Sequence, residues 1–428
     1  MVPQSASVPI RWHRVIGLIL LAALFAEGAA RMAIYVWAGQ SYRSLAVNVW
    51  SPYGLVRNNP KLTSPGFVIN KNGFRDMRDY SQRKAPRTLR VIMLGGSTLY
   101  SGLQAAVFDV IGTTQRVDSG STMAQFLHDR LAADPEFAGL NIEVINAAVN
   151  FNTIVEVGTA YLAEYAHWNA DFVIIAGSAN NFSRAMPKGS VQRRDWGIMT
   201  WHPWRREFER IVNGNDLLSA IDGGWRALGD HSAAAALGAK LVSKAVDAGF
   251  GRQAALARRL GIQPQSTGTM TPADWDEYDK YVDEYLGYAS AMIAAAQYRH
   301  QRIAFFWEHL LAHIGDVKPL TPDERKLFKA NFGPSSQLDA AFTYRARDLV
   351  ADFCVRNEVP FLDPIERLKS HPGSIFIDYL HYTADGNRFM ADFIYDQLHD
   401  AFHKRAQQLR ATGSDKAVGA LATRPYPA

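Results

Sequence analysis

The sequence predicts an α/β fold built on a central parallel sheet, and three observations predict it. Short β-rich apolar runs recur at Leu89–Leu94, Asn141–Ile145, Asp171–Ala176, Arg302–Trp307 and Val359–Leu362. Helical patterns such as residues 122–133 separate them, and strands alternating with helices favour a parallel sheet covered on both faces. The composition, 428 residues at 48% hydrophobic and 20% charged, supplies a large core and lies far from that of disordered chains.

Taken in order, the amino-terminal element comes first. After Arg11, His13 and Arg14, the run Val15–Ala26 is free of charge; Glu27 and Arg31 interrupt, and Met32–Ala38 resume the apolar character. Glu27 and Arg31 are four apart and can pair on one helical face. A cleaved signal peptide is one reading, given the small residues around Ala26-Glu27-Gly28-Ala29-Ala30. An uncleaved signal anchor is favoured, because no clean small-x-small cleavage site stands out. The basic flank places the amino end in the cytoplasm. Residues 1–41 are therefore expected to be a cytoplasmic stub and a single pass of the inner membrane, with the body of the chain in the periplasm or extracytoplasmic space.

Residues 42–87 form a turn-rich lead-in, with Asn58-Asn59-Pro60, Ser64-Pro65-Gly66 and Asn72-Gly73 as breakers. Residues 88–182 carry the first three strands and are the first half of the main domain. Residues 183–270 are too long for a simple crossover. They hold Trp196, Trp201, Trp204 and Trp225 and an alanine-rich helical stretch, and are expected to form an insertion or lid. The second half, 271–404, opens on a helix start, with Thr271 as cap, Pro272 at the first position and Asp274 closing the box. The stripe Trp275, Tyr278, Tyr281, Tyr285 and Tyr288 has helical spacing and reads as core packing. Thr321-Pro322-Asp323-Glu324 repeats the start signal. Residues 405–428 mix Gly, Pro, Ser and basic residues and are expected to be a loose tail.

The net charge of +5 is spread along the chain, without the clustered basic stripe of a nucleic-acid binder. Cys354 is alone, so no intrachain disulfide forms; it reads as a small buried hydrophobe.

Chemistry is concentrated in a few segments. In VIMLGGSTLYSG, residues 91–102, a strand runs into Gly95-Gly96-Ser97. A phosphate-binding Walker loop needs a lysine that is absent, and adjacent glycines do not fit the dinucleotide pattern GxGxxG. What remains is a tight turn that presents Ser97 at the carboxyl edge of the sheet, where ligands bind in open α/β folds, or a Ser97 that simply caps the next helix. Near the far end, Asp378 and His381 are three apart, just before a helix that Thr383 can cap. That spacing lets a carboxylate reach imidazole Nδ1 and leaves Nε2 free, although a capped turn with a surface histidine has the same sequence. Glu308 and His309 follow the fourth strand at the same edge and can line a pocket. His309 and His313 have metal-ligand spacing, but Leu310 replaces the glutamate of the zinc-protease motif and no third ligand is signposted, so a structural role is expected.

In combination, GGS after the first strand, an Asn-rich turn after the third and DxxH before the last helix resemble the SGNH/GDSL hydrolase superfamily, in its membrane-anchored bacterial type. The resemblance covers roughly residues 87–399 apart from the insertion. It implies a three-layer flavodoxin-like fold with a helical insertion between the third and fourth strands. It implies Ser97 as nucleophile, His381 as base, Asp378 as its orienter, and Asn180 as an oxyanion donor. Gly96 replaces the usual Asp of the first block, and Asn181 the acidic residue of the third. In the second block Phe151 stands where a glycine offers its backbone N–H, with Asn150 and Asn152 as alternative contributors. The implied activity is that of a serine esterase or O-acyltransferase acting on small acyl esters, acetyl above all, of an envelope or exported polysaccharide. The alternative is a catalytically weak SGNH-like protein that binds glycan or scaffolds an export assembly. No cofactor, no metal and no nucleic-acid partner is expected; the expected partners are an acyl ester or polysaccharide and, through the amino-terminal helix, the membrane.

Overall fold

The computed structural model describes residues 12–38, 48–51, 55–60, 63–64, 66–101, 117–150, 152–182, 228, 232–235, 238, 272–315, 317–331, 336–378 and 380–411. Most of the expected insertion lies outside these residues, including Trp196, Trp201, Trp204 and Trp225, and so does Thr271. The chain divides into two units, one of Met1–Ala46, Ala106–Asp109 and Arg206–Gln265, the other of the remaining residues.

In the first unit, helix α1 spans Trp12–Ala38. Its stretch Val15–Ala33 is long and apolar enough to cross a membrane. Arg31 Nε donates to Glu27 at 2.7 Å, the pairing that their spacing predicts. Glu27 also accepts from Ser232 Oγ at 2.7 Å and from the backbone N–H groups of Ala233 and Ala234 at 3.0 Å. Its carboxylate is thus met by one cation and three further donors, which offsets the cost of placing it in an apolar helix.

The second unit opens with two short hairpins, β1 (Asn48–Ser51) with β2 (Leu55–Asn58), and β3 (Thr63–Ser64) with β4 (Phe67–Val68). The main sheet follows, with β5 (Thr88–Gly95), β6 (Asn141–Asn146), β7 (Phe172–Ala176), β8 (Arg302–Phe306) and β9 (Phe361–Leu362). Its order is β6-β5-β7-β8-β9 and every pairing is parallel. Counted within the sheet, that is the 2-1-3-4-5 order of flavodoxin-like, doubly wound folds. The helices are α2 (Ser97–Tyr100), α3 (Met123–Ala133), α4 (Ile154–Ala163), α5 (Ser178–Phe182), α6 (Pro272–Tyr298), α7 (Leu311–Ile314), α8 (Pro322–Asn331), α9 (Ser336–Arg356), α10 (Ile365–Lys369) and α11 (Ala384–Ala411).

Alternation along β5 sorts the core into two layers. Leu89, Val91 and Met93 pack with Leu127 and Leu131 of α3 and Ile394 and Phe402 of α11. Ile92 and Leu94 pack on the other face with Val157 of α4, Tyr278 and Tyr285 of α6, and Phe342 of α9. Each fully buried aliphatic side chain contributes roughly 1.5–3 kcal/mol, so these two layers hold the helices in place. The aromatic stripe of α6 is core, as its spacing predicts: Trp275, Tyr281 and Tyr288 pack against the same cluster. Cys354 is buried there too, and burial pushes its thiol up to about 12.

Helix starts follow the sequence signals. Thr122 Oγ1 accepts from Gln125 N at the head of α3. At the head of α8, Thr321 Oγ1 accepts from Glu324 N while Glu324 Oε2 accepts from Thr321 N, a reciprocal capping box. One boundary differs from expectation: α11 runs on to Ala411, past 404, because Ala406 and Leu409 continue its buried face. Since all five strands run in one direction, the loops after β5, β6, β7, β8 and β9 share the carboxyl edge of the sheet.

Candidate active site

Ser97 is the first residue of α2, directly after Gly96. Gly96 occupies the cap position and no side chain caps the helix, so Ser97 does not serve as a cap. Both preceding glycines are required by close approach. A Cβ on Gly95 would meet the carbonyl oxygen of Ala176 at 2.2 Å; one on Gly96 would meet Asn180 Nδ2 at 2.2 Å and the Asn152 carbonyl oxygen at 3.0 Å. The turn that carries Ser97 is therefore pressed against Asn180. Ser97 itself is buried.

Asp378 and His381 form the expected couple. Nδ1 of His381 lies 2.7 Å from Asp378 Oδ2, and Asp378 Oδ1 accepts from the backbone N–H groups of Leu380 and His381, each at 2.7 Å. Burial raises the Asp378 pKa, but the hydrogen bonds from His381 and from these two amides outweigh it, and the carboxyl stays below its usual range. An ionised Asp378 fixes the tautomer with hydrogen on Nδ1, leaving the lone pair on Nε2. His381 Nε2 is buried and has no hydrogen-bond partner among the described residues, so no hydrogen bond joins it to Ser97; such contacts are commonly long in unliganded sites and tighten with substrate. The turn is braced by an isolated antiparallel bridge between Phe376 and Tyr382 and by Ile377 N donating to His381 O. Thr383 Oγ1 accepts from Gly386 N, so Thr383 caps α11 as expected.

Asn180 lies in α5, with its Nδ2 donating to the Asn152 carbonyl at 2.9 Å. Asn181 has a supporting role: its Oδ1 accepts from Ile154 N at 2.8 Å and its Nδ2 donates to Tyr281 OH. Phe151 lies outside the described residues. Of the alternatives in that turn, Asn150 and Asn152 are both buried, each with a side-chain oxygen that has no partner among the described residues.

Glu308 links these segments. Its Oε2 accepts from Ala179 N at 3.0 Å and lies 3.4 Å from Ser178 Oγ, and its own N–H donates to Ser178 Oγ at 2.9 Å. It is buried, and burial pushes its carboxyl up to about 7, with the Ala179 amide and the Thr98 and Ser178 hydroxyls pulling the other way. Glu308 thus touches the segment after β7, while its Oε1 is buried with no hydrogen-bond partner among the described residues. The chain of contacts continues to the histidine, since Tyr382 OH donates to the His309 carbonyl, and Ala179, Leu310 and Leu380 form one small apolar cluster.

His309 has a structural setting. Its Nε2 lies 2.6 Å from Asp363 Oδ1, and Asp363 Oδ2 accepts from Arg347 Nε. Burial raises the Asp363 pKa, yet the His309 and Arg347 hydrogen bonds hold it below the usual range. The His313 side chain lies outside the described residues. Sequence reasoning missed Asp363; the signal available was a carboxylate directly after the short strand Phe361–Leu362, at the functional edge.

No family model and no curated protein matches the chain. Among solved structures it is similar to a putative acylhydrolase from Bacteroides fragilis NCTC 9343, at 10% identity over 73% of this chain and 88% of that one, with a TM-score of 0.33. It is similar to the acetylxylan esterase Axe2 from Geobacillus stearothermophilus at 12% identity, over 72% and 93%, with a TM-score of 0.36. It is similar to TesA at 10% identity, over 73% and 98%, with a TM-score of 0.35. At these identities and scores the strand order, and not the likeness, carries the fold: an α/β sandwich on an open, five-stranded parallel sheet.

Proposed function

We propose that the chain is a serine esterase or O-acyltransferase, held to the membrane by α1, that acts on small acyl esters of an exported or envelope polysaccharide. The observation that carries the reading is the Asp378–His381 couple, its imidazole buried with an unengaged Nε2, at the sheet edge that also bears Ser97 and Asn180. Ser97 Oγ attacks the ester carbonyl carbon as its proton passes to His381 Nε2, and Asp378 stabilises the imidazolium that results. Asn180 Nδ2 and backbone N–H groups near Ser97 take the negative charge that develops on the carbonyl oxygen. The tetrahedral adduct then breaks its bond to the leaving oxygen, which recovers the proton from His381. Water, or a sugar hydroxyl, gives its proton to His381 and attacks the acyl carbon; the bond from that carbon to Ser97 Oγ then breaks, Oγ takes the proton back from His381, and the acid or the new ester leaves. Because Asn180 is tied to the Asn152 carbonyl in this state, substrate binding has to draw its second amide hydrogen towards the oxyanion.

The test uses the full chain in detergent, exposed to a fluorophosphonate and to an acetyl ester reporter. The expected result is covalent labelling and ester cleavage that both vanish in Ser97→Ala. Absence of labelling in a folded wild-type chain that still retains polysaccharide would favour a glycan-binding scaffold instead.

A further inference from the structure

The loop after β8 carries Glu308, and β8 pairs with β7, whose own loop leads into α5. We propose that Glu308 is a positioning residue for the acyl chemistry: it grips the first turn of α5 and so holds the Asn180 amide against the turn that carries Ser97. The chemical consequence rests on the function proposed above; the placement of Asn180 does not.

The grip is reciprocal. Glu308 Oε2 accepts from Ala179 N at 3.0 Å and lies 3.4 Å from Ser178 Oγ, while Glu308 N donates to that same Oγ at 2.9 Å. Asn180 is the next residue. Its Nδ2 donates to the Asn152 carbonyl, and it stands so close to Gly96 that a Cβ there would meet Nδ2 at 2.2 Å. On its other side, Asn181 Oδ1 accepts from Ile154 N and Tyr281 OH donates to the Asn181 carbonyl. Asn180 is therefore clamped between two anchors, and Glu308 supplies one of them. A misplacement of about 1 Å at such a group costs on the order of a hundredfold in rate, so whatever fixes α5 bears on the reaction.

The charge on Glu308 sets the strength of this grip. Oε2 already faces two donors, whereas Oε1 is buried without a partner among the described residues, so a proton taken up goes to Oε1. That leaves Oε2 a neutral acceptor, and hydrogen bonds to an ionised acceptor are roughly twice as strong. Burial pushes the carboxyl up to about 7, which populates both forms near neutrality. Tyr285 of α6 and Tyr382 of the histidine's turn are the titratable groups that face Glu308 from the elements packed on it; burial raises both well above their ordinary value, so neither changes charge in this range. The adjacent His309 is engaged by Asp363, which Arg347 also meets.

The test has one arm that needs no activity. Only Asn180 and Asn331 directly follow an alanine, so the full chain in detergent, labelled with carbonyl-13C alanine and 15N asparagine, shows their two backbone amides alone. The Asn180 signal should titrate near pH 7 in the wild type and stay fixed in Glu308→Gln, with Asn331 as the internal control. In the kinetic arm, His381 contributes its own acid limb to both proteins, and the ratio of wild-type to Glu308→Gln kcat cancels it; that ratio should rise severalfold as pH passes upward through about 7. Glu308→Met fills the space without an acceptor and should lower kcat at least about tenfold with KM little changed, and Glu308→Gln should recover most of that loss. An Asn180 amide that ignores pH, or a kcat ratio that is flat across the range, would overturn the proposal even if Glu308→Met failed to fold. A titrating amide in a chain that no fluorophosphonate labels would uphold the Glu308 grip on Asn180 and remove the esterase reading instead.

Discussion

Glu308 offers a quantitative test that does not depend on activity. Its carboxyl is raised from an ordinary value of 4.5 to about 7 by burial, only partly offset by the Ala179 amide and two hydroxyls. Protons are therefore held by the folded chain and lost by the unfolded one between those pH values. The stabilisation that protonated Glu308 provides is complete below pH 4.5, declines as pH rises, and is gone above about pH 7. At 1.36 kcal/mol per unit, a displacement from 4.5 to about 7 is worth about 3 kcal/mol. Glu308→Gln cannot titrate, and its amide oxygen can still accept from Ala179 N. Whatever fixed offset the substitution introduces, the stability of wild type relative to the variant should fall by about 3 kcal/mol between pH 4.5 and pH 7. The assay is chemical denaturation of both proteins across that range, followed by tryptophan fluorescence. If the two stability curves run parallel throughout, Glu308 has an ordinary carboxyl and the reasoning from its burial is wrong.

Further outcomes follow from the same contacts. Gly96→Ala places a methyl 2.2 Å from Asn180 Nδ2, so Asn180 must shift, and ester turnover should drop about a hundredfold, as for a lost oxyanion donor; unchanged turnover in kinetic assays would separate Asn180 from the chemistry. Asp378→Asn should lower kcat about 10⁴-fold by removing the acceptor that fixes the His381 tautomer. The depressed Asp378 carboxyl also stabilises the fold above its unfolded pKa and loses that contribution as pH falls through the folded value, so the same variant should flatten the acid limb of a wild-type stability profile. Glu27→Ala removes the acceptor shared by Ser232, Ala233 and Ala234, and limited proteolysis should then cut faster around residue 232; an unchanged digestion pattern would contradict that contact.

The strands were readable because both faces of the sheet are covered, which makes β7 apolar throughout and leaves unbroken apolar stretches after Arg90 in β5 and after Arg302 in β8. The Asp378–His381 couple was readable because it is local, three residues within one turn. Contacts across long stretches of chain were not. Glu308 meets its partners Ser178 and Ala179 some 130 positions away, and only the topology says that the ends of β7 and β8 are neighbours. Glu136 and His399 are further apart still, and they meet only because α11 packs beside the Pro135–Phe137 turn. The end of α11 was misplaced because Gly, Pro and Ser beyond it masked the helical spacing of Phe402, Ala406 and Leu409, all of which are buried.

The last strand of the sheet has a consequence for how copies of this chain meet. β9 offers only Phe361 and Leu362 to a neighbour, and Pro360 and Pro364, which lack an N–H, stand on either side of Phe361-Leu362-Asp363. A foreign segment arriving at that margin finds too few rungs to extend the ladder, so the sheet is guarded there against fibrous stacking.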